Sequence, residues 1–316
     1  MMFPSLLLTA ALLLSEARFP LESCRTVELR DEESGALVAG MEDVTLIADG
    51  RGLLVSAYDR LQDQTGGVYR VDKPWPRAER WSARNLTPGS KPHGIAARPG
   101  GGFTVIDRSA PGGTALLTVL PDGTKRFEDV GEGEAFPLCA ANDLAFDGKG
   151  GGFVTIDRGG CGGFWQRLFG GKAASVRQLA PGLPVTADKL SLANGIAPQD
   201  GAVWVADMRA KHLVPLGGGE PVELPGAPDN LNASEEGIVA ALQPSLWRFG
   251  LYRYGHRERA PSLIMLVEPR KGRREVLFED ETGELFPGAT AAVLDGSVLF
   301  AGSVAGDRLL TCDLSE

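Results

Sequence analysis

The chain has 316 residues, of which 42 are glycine, about double an ordinary ~7% share, with 43% hydrophobic, 7% aromatic and 23% charged residues. These figures exclude a disordered tail, a coiled coil and a collagen-like fibre, and leave enough apolar residues for a substantial core. A net charge of -9 argues against a phosphate-binding surface, so nucleic acid is not an expected partner.

At the N-terminus one apolar run, Leu6 to Leu14, ends in Ser15-Glu16-Ala17, a small-x-small pattern that a signal peptidase could cut. No Lys or Arg precedes it, so residues 1–17 read as an export signal or, alternatively, as an uncleaved anchor. The run is short for a bilayer span, and no later stretch is apolar enough to be one. Secretion or a periplasmic location is the expectation, with residues 18–316 as one domain. The four cysteines, Cys24, Cys139, Cys161 and Cys312, allow three pairings. No Cys-x-x-Cys pair is present, which argues against a structural zinc site.

Along the chain a unit recurs. Residues 100–108 read GGGFTVIDR and residues 150–158 read GGGFVTIDR, seven identical positions at an offset of fifty. Looser copies run from Glu42-Asp43 to LLVSAYDR, from Asn194-Gly195-Ile196 to VWVADMR, from Asp229-Asn230-Leu231 to EEGIVAAL, and from Ala289 to DGSVLFAGSV. Each pairs an apolar half-strand with a β-rich run across an Asp/Gly turn, which reads as a hairpin. Further strand-like runs such as TALLTVL and IMLVE bring the count to about four strands in a unit of about fifty residues. Six such units predict an all-β fold, a six-bladed β-propeller. A ring of this kind must close on itself, and Cys24 and Cys312, at the two ends of the chain, sit where closure would bring them together. Cys139 and Cys161 then pair or stay free.

The heads of the units are polar: Glu42-Asp43, His93, Asn142-Asp143, Asn194 and Asp229-Asn230. In a propeller these side chains converge on the central axis. Glu42, Asn142, Asn194, Asp229 and Asn230 then form an all-oxygen set with two negative charges, which suits Ca²⁺ better than zinc. Adjacent residues of extended chain point opposite ways, so Asp43 and Asp143, with a backbone carbonyl near Ile95, are read as a second, deeper calcium site. His93 stands at a head position, and imidazole is a general base suited to neutral pH. His212 reads as a surface or strand residue, and His256 has no assigned role.

The order Glu42-Asp43, Pro92-His93-Gly94-Ile95, Asn142-Asp143, Ala193-Asn194-Gly195-Ile196, Asp229-Asn230 and Leu310-Thr311-Cys312-Asp313-Leu314 resembles the paraoxonase/arylesterase family of calcium-dependent lactonases. More distantly it is similar to the senescence-marker/gluconolactonase propellers. The likeness runs from about Cys24 to the C-terminus. It implies a catalytic calcium on Glu42, Asn142, Asn194, Asp229 and Asn230, and a structural one on Asp43, Asp143 and the Ile95 carbonyl. It also implies a Cys24–Cys312 disulfide, with His93 as one half of a His-His dyad that activates water.

The sequence departs from that pattern at the second histidine, where Arg108 stands. An arginine relays no proton at neutral pH. Either His93 works alone, or Asp229 serves as base or nucleophile, or the activity differs. Arg108 itself is read either as a salt-bridging arginine, in line with the matching Asp107-Arg108 and Asp157-Arg158 pairs, or as a holder of an anionic substrate or a developing oxyanion. The expected function is calcium-dependent hydrolysis of lactones or aryl esters by water that His93 activates. A non-catalytic binding propeller with structural calcium and a sugar-lactone hydrolase using Mn²⁺ or Mg²⁺ are the alternatives. The aromatic and basic stretch Trp247 to Tyr254, with Trp165 and Phe169, reads as blade packing, with the mouth of the site or a lipid surface as the other reading. Asn85-Leu86-Thr87 and Asn232-Ala233-Ser234 match the glycosylation pattern.

Overall fold

The computed structural model describes residues 16–47, 50, 52–72, 74–110, 113–128, 138–161 and 171–314. Most of residues 1–17, together with Trp165 and Phe169, therefore lie outside the described residues. The described fold is all-β, with four four-stranded antiparallel sheets and one eight-stranded sheet.

The four-stranded sheets follow one another along the chain. The first holds β6 (Pro92–Ala97), β7 (Phe103–Asp107), β8 (Ala115–Val119) and β9 (Lys125–Phe127). The second holds β10 (Ala141–Phe146), β11 (Gly152–Ile156), β12 (Ala174–Gln178) and β13 (Val185–Leu190). The third is built from β14 (Ala193–Gln199), β15 (Ala202–Asp207), β16 (His212–Pro215) and β17 (Val222–Glu223), which places His212 on a strand. The fourth comprises β18 (Ala227–Ala233), β19 (Ile238–Gln243), β20 (Ser262–Glu268) and β21 (Arg273–Asp280).

The eight-stranded sheet joins the two ends of the chain. It combines β2 (Met41–Leu46), β3 (Gly52–Ala57), β4 (Gly67–Asp72) and β5 (Arg80–Asn85) with β22 (Ala289–Asp295), β23 (Val298–Ser303) and β24 (Arg308–Asp313). Between them lies β1 (Cys24–Asp31), antiparallel to β24 and parallel to β5. A further bridge from Met41 to Ser303 links β2 to β23, so seven of these strands close on one another. Cys24 faces Cys312 in the β1–β24 register, and the two are joined by a disulfide. Cys139 and Cys161 form a second one.

The first strands of successive sheets, β2, β6, β10, β14, β18 and β22, pack each against the next, and β22 returns to β2. The ring they make sets the burial pattern. β3 is buried at every position, as expected for a strand covered on both faces, whereas β5 near the rim alternates buried and exposed residues. Each gap between neighbouring sheets holds its own apolar cluster, such as Leu54, Val68, Ile95, Phe103, Val105, Leu117 and Val119 between β2–β5 and β6–β9.

One helix departs from the strand reading. After β19, Leu246–Arg253 forms α1, started by Ser245, whose side chain accepts from the Arg248 N–H. Phe249 and Tyr252 bury against Met208, Ala227, Ala260 and Val304, while Trp247 is 75% exposed. Neither glycosylation triplet is free: Asn232 Nδ2 donates to the Val44 and Ala292 carbonyls, and Asn85 Oδ1 accepts from the Thr87 N–H.

Candidate metal centre and active site

The head of each ring strand breaks its pairing register. The irregularities fall between Met41 and Asp43, Pro92 and Ile95, Ala141 and Leu144, Ala193 and Ile196, Pro228 and Leu231, and Ala289 and Ala291. A bulge inserts an unpaired residue and re-aims the side chains around it. Strict alternation therefore fails at these positions, and neighbours such as Asp229 and Asn230 are both buried in the ring, 3% and 2% exposed. Two of the bulges need glycine. A Cβ on Gly94 would lie 2.5 Å from the Asn142 carbonyl oxygen, and one on Gly195 would lie 2.5 Å from the Leu231 nitrogen.

All eight residues singled out from the sequence as metal ligands are buried. Glu42 touches His93 through Oε2 and Nδ1. Asn194 Nδ2 donates to Asp229 Oδ1 at 2.7 Å, and Asn230 Nδ2 donates to the Glu42 carbonyl at 3.4 Å. Asp43 and Asp143 are engaged differently, in a pattern that repeats. Asp43 accepts the N–H groups of Val44 (2.8 Å) and Ile95 (2.9 Å), and Asp143 those of Leu144 (2.7 Å) and Ile196 (2.9 Å). Each carboxylate thus staples its own ring strand to the next. Ile95 thus meets Asp43 through its N–H. Asp43 and Asp143 also line a cavity of about 280 Å³ with Ile95, Ile196 and Asn232, and neither Glu42 nor His93 lines it.

Four residues outside the sequence expectations complete the Glu42 cluster. Arg60, just past the end of β3, donates from Nη2 to Glu42 Oε2 at 2.9 Å and from Nη1 to the Gly40 carbonyl at 3.1 Å, and its Nη2 lies 3.3 Å from His93 Nδ1. Gln243 donates to Asp229 Oδ2 at 3.1 Å and to the Ala289 carbonyl at 2.7 Å. Thr290, the head of the sixth unit, donates to the Glu42 carbonyl at 2.6 Å. Met208 Sδ accepts from Asn194 Nδ2 at 3.4 Å. The signal for Arg60 was in LLVSAYDR, the loose copy of the run that ends in Arg108.

The electrostatics separate the groups. Burial, with the Arg108 guanidinium next in effect, pushes His93 down to about 3, so its imidazole is neutral at physiological pH. Its contact with a carboxylate assigns the proton to Nδ1 and leaves Nε2 as the basic nitrogen. Burial works to raise Glu42, but His93 and Arg60 outweigh it and hold the carboxyl well below its usual range. Burial and then the charge of Glu42 push Asp229 up to about 7. Asp43 is raised by burial and by the facing charge of Asp143, and Asp143 is pushed up to about 8, chiefly by burial. Buried carboxylates raised together in this way are what a cation would relieve.

The residues fit a hard divalent cation. Asn142 Oδ1 and Asn194 Oδ1 are buried without a hydrogen-bond partner, in a cluster whose other donors are the carboxylates of Glu42 and Asp229. A buried, unpaired carbonyl oxygen is costly, and coordination to such a cation would satisfy it. Among the described residues no three His, Cys, Asp or Glu side chains are placed to hold a metal ion by themselves, so a site on Glu42 and Asp229 depends on these amides.

No family model matches the chain, and no curated protein matches it. Solved structures do. A structural-genomics target described as a gluconolactonase by protein family is 16% identical with a TM-score of 0.58, over 93% of each chain. A gluconolactonase from Xanthomonas campestris is 16% identical with a TM-score of 0.56, over 88% of this chain and 86% of that one. Virginiamycin B lyase from Staphylococcus aureus is 13% identical with a TM-score of 0.52, over 92% and 99%. At these identities the likeness shows the fold, that of propeller-like proteins. It agrees with the more distant of the two resemblances in the sequence, while the paraoxonase likeness rests on motifs alone.

Proposed function

We propose that the chain is a metal-dependent lactone hydrolase built on a single six-bladed β-propeller over residues 18–316. The closed ring of β2, β6, β10, β14, β18 and β22 supports six blades, with β1 completing the last one. The observation that carries the functional reading is the buried oxygen cluster, with the unpartnered amide oxygens of Asn142 and Asn194, beside a neutral His93.

In this reading Glu42, Asn142, Asn194, Asp229 and Asn230 hold Ca²⁺, and Asp43 and Asp143 hold a second ion that locks the ring. A divalent cation at the first position supplies Lewis-acid polarisation of a substrate carbonyl. His93 Nε2 takes the proton from the attacking water, with Glu42 fixing the ring through Nδ1. Asp229, raised to about 7, is the second candidate for proton transfer. Arg108, in place of a second histidine, takes no part in that transfer. The gluconolactonase fold likeness favours a second reading in which the substrate is a sugar lactone and the ion is Mn²⁺ or Mg²⁺. Two disulfides support an oxidising, extracytoplasmic compartment, and among the described residues no helix is long and apolar enough to cross a membrane.

The test is hydrolysis of phenyl acetate, γ- and δ-lactones and glucono-δ-lactone by protein treated with EDTA and then resupplied with Ca²⁺, Mn²⁺ or Mg²⁺. Turnover lost on chelation and restored by one ion identifies substrate and metal together. Calcium-dependent stability without turnover on any of them would make the protein a binder.

A further inference from the structure

Arg108 follows the last residue of β7, beside the ring strand that carries Asn142. Its Nη2 donates to the Ala141 carbonyl at 3.2 Å, and its Nε is buried with no hydrogen-bond partner. The repeat supplies an internal comparison. In the equivalent pair Asp157-Arg158, Arg158 Nη1 bonds Asp157 Oδ2 at 2.8 Å. In the pair Asp107-Arg108 the carboxylate is turned away: Asp107 Oδ1 accepts from the Lys91 N–H at 3.1 Å, the Ser109 N–H at 2.9 Å and the Ser109 hydroxyl at 2.8 Å. No carboxylate lies within ion-pair distance of Arg108 among the described residues. The Arg108 guanidinium thus stands at the Glu42 cluster, within reach of the charge of Glu42 but with no carboxylate in direct contact, and a buried donor such as its Nε is unfavourable unless a ligand completes it. Guanidinium is the group best shaped to take a carboxylate through two parallel hydrogen bonds.

We propose that the substrate carries a second, non-reacting carboxylate, which Arg108 receives. The inference rests on the hydrolase reading and narrows it to lactones or esters of dicarboxylic acids. Apolar aryl esters would leave the buried Arg108 Nε unsatisfied, so they are poor substrates on this account. Arg108 is a specificity residue: it holds the part of the substrate that does not react, while His93 acts at the part that does.

The experiment compares γ-butyrolactone bearing a γ-carboxylate with the same lactone bearing a γ-carboxamide, which matches its shape without the charge. Wild-type protein should prefer the carboxylate by about tenfold or more in kcat/KM, and the preference should shrink as salt rises. Arg108→Gln should bring the ratio of the two substrates to within about twofold, and Arg108→Lys, which keeps the charge without the fork, should fall between. Arg126→Gln, at an exposed arginine of β9, should keep the wild-type ratio. No preference in the wild-type protein, or a preference that Arg108→Gln leaves intact, would overturn the proposal. If neither lactone is hydrolysed, the hydrolase reading is what fails, and calorimetry with 2-hydroxyglutarate decides the anion site separately. Binding that Arg108→Gln weakens by about tenfold sustains it, and binding that is absent, or unchanged in Arg108→Gln, overturns it.

Discussion

Arg60 and Glu42 form a buried ion pair, Nη2 to Oε2 at 2.9 Å, with side chains 9% and 4% exposed. The arginine comes from the end of one strand and the carboxylate from the bulge of its hairpin partner, so the pair ties the two at the edge of the site. Removing one partner of such a pair leaves the other charge uncompensated. Arg60→Met should therefore cost about 3–5 kcal/mol in EDTA, measured by urea unfolding. In millimolar calcium the loss should shrink, because the cation compensates Glu42 instead. An equal loss in both conditions would remove Glu42 from the ligand set.

The bulge glycines should be intolerant where a helical glycine is not. Gly94→Ala and Gly195→Ala each drive a methyl group against the backbone of the next ring strand, which cannot give way as a flexible side chain would. Losses of several kcal/mol, on the order of 3, are expected in thermal unfolding. Gly250→Ala, inside α1 with nothing within 4 Å of the added Cβ, should instead gain up to about 1 kcal/mol.

Stability of the chelated protein should fall on both sides of a maximum in mildly acidic solution. Asp143, raised to about 8, and Asp229, raised to about 7, bind more protons folded than unfolded above pH ~4, so stability is lost as pH climbs from there and the loss is complete once pH has passed 7 to 8. His93, lowered to about 3, binds fewer protons folded than unfolded below pH ~6.5, so stability is lost as pH falls toward 3. Asp143→Asn should flatten the alkaline limb and His93→Gln the acid limb. A melting temperature that rises from pH 5 to 8 in EDTA would contradict the assignment of neutral carboxyls.

The glycosylation triplets should stay unmodified in a eukaryotic secretory host. Asn232 is hydrogen-bonded across the ring, and Thr87, the third residue of the other triplet, is buried. Intact mass after expression in such cells checks this directly, and a glycan on Asn232 would mean that modification outruns folding.

The repeat made the strands and their hairpins legible, because GGGFTVIDR and GGGFVTIDR mark the same turn and second strand twice. The head residues were legible for the same reason. Their orientation was not, since a period of two assumes an unbroken ladder and every ring strand breaks its ladder at the head. Arg60 was missed because LLVSAYDR is longer than the FTVIDR it parallels, so its arginine falls out of register with Arg108. The helix α1 was hidden by aromatic residues that fit a strand equally well, and its one marker was the Ser245 cap. Gln243 and Thr290 act through hydrogen bonds that reach other ring strands, to the Ala289 and Glu42 carbonyls, which no local pattern encodes.

The pairing of Cys24 with Cys312 also sets an order of events during synthesis. The two lie 288 residues apart, so at roughly 5–20 residues per second the first thiol waits on the order of 15–60 seconds before its partner exists. Cys139 and Cys161, 22 residues apart, are made almost together while Cys24 is still unpaired. A nascent chain oxidised early therefore risks joining Cys24 to the wrong thiol, and a compartment that can reshuffle disulfides is needed to recover it.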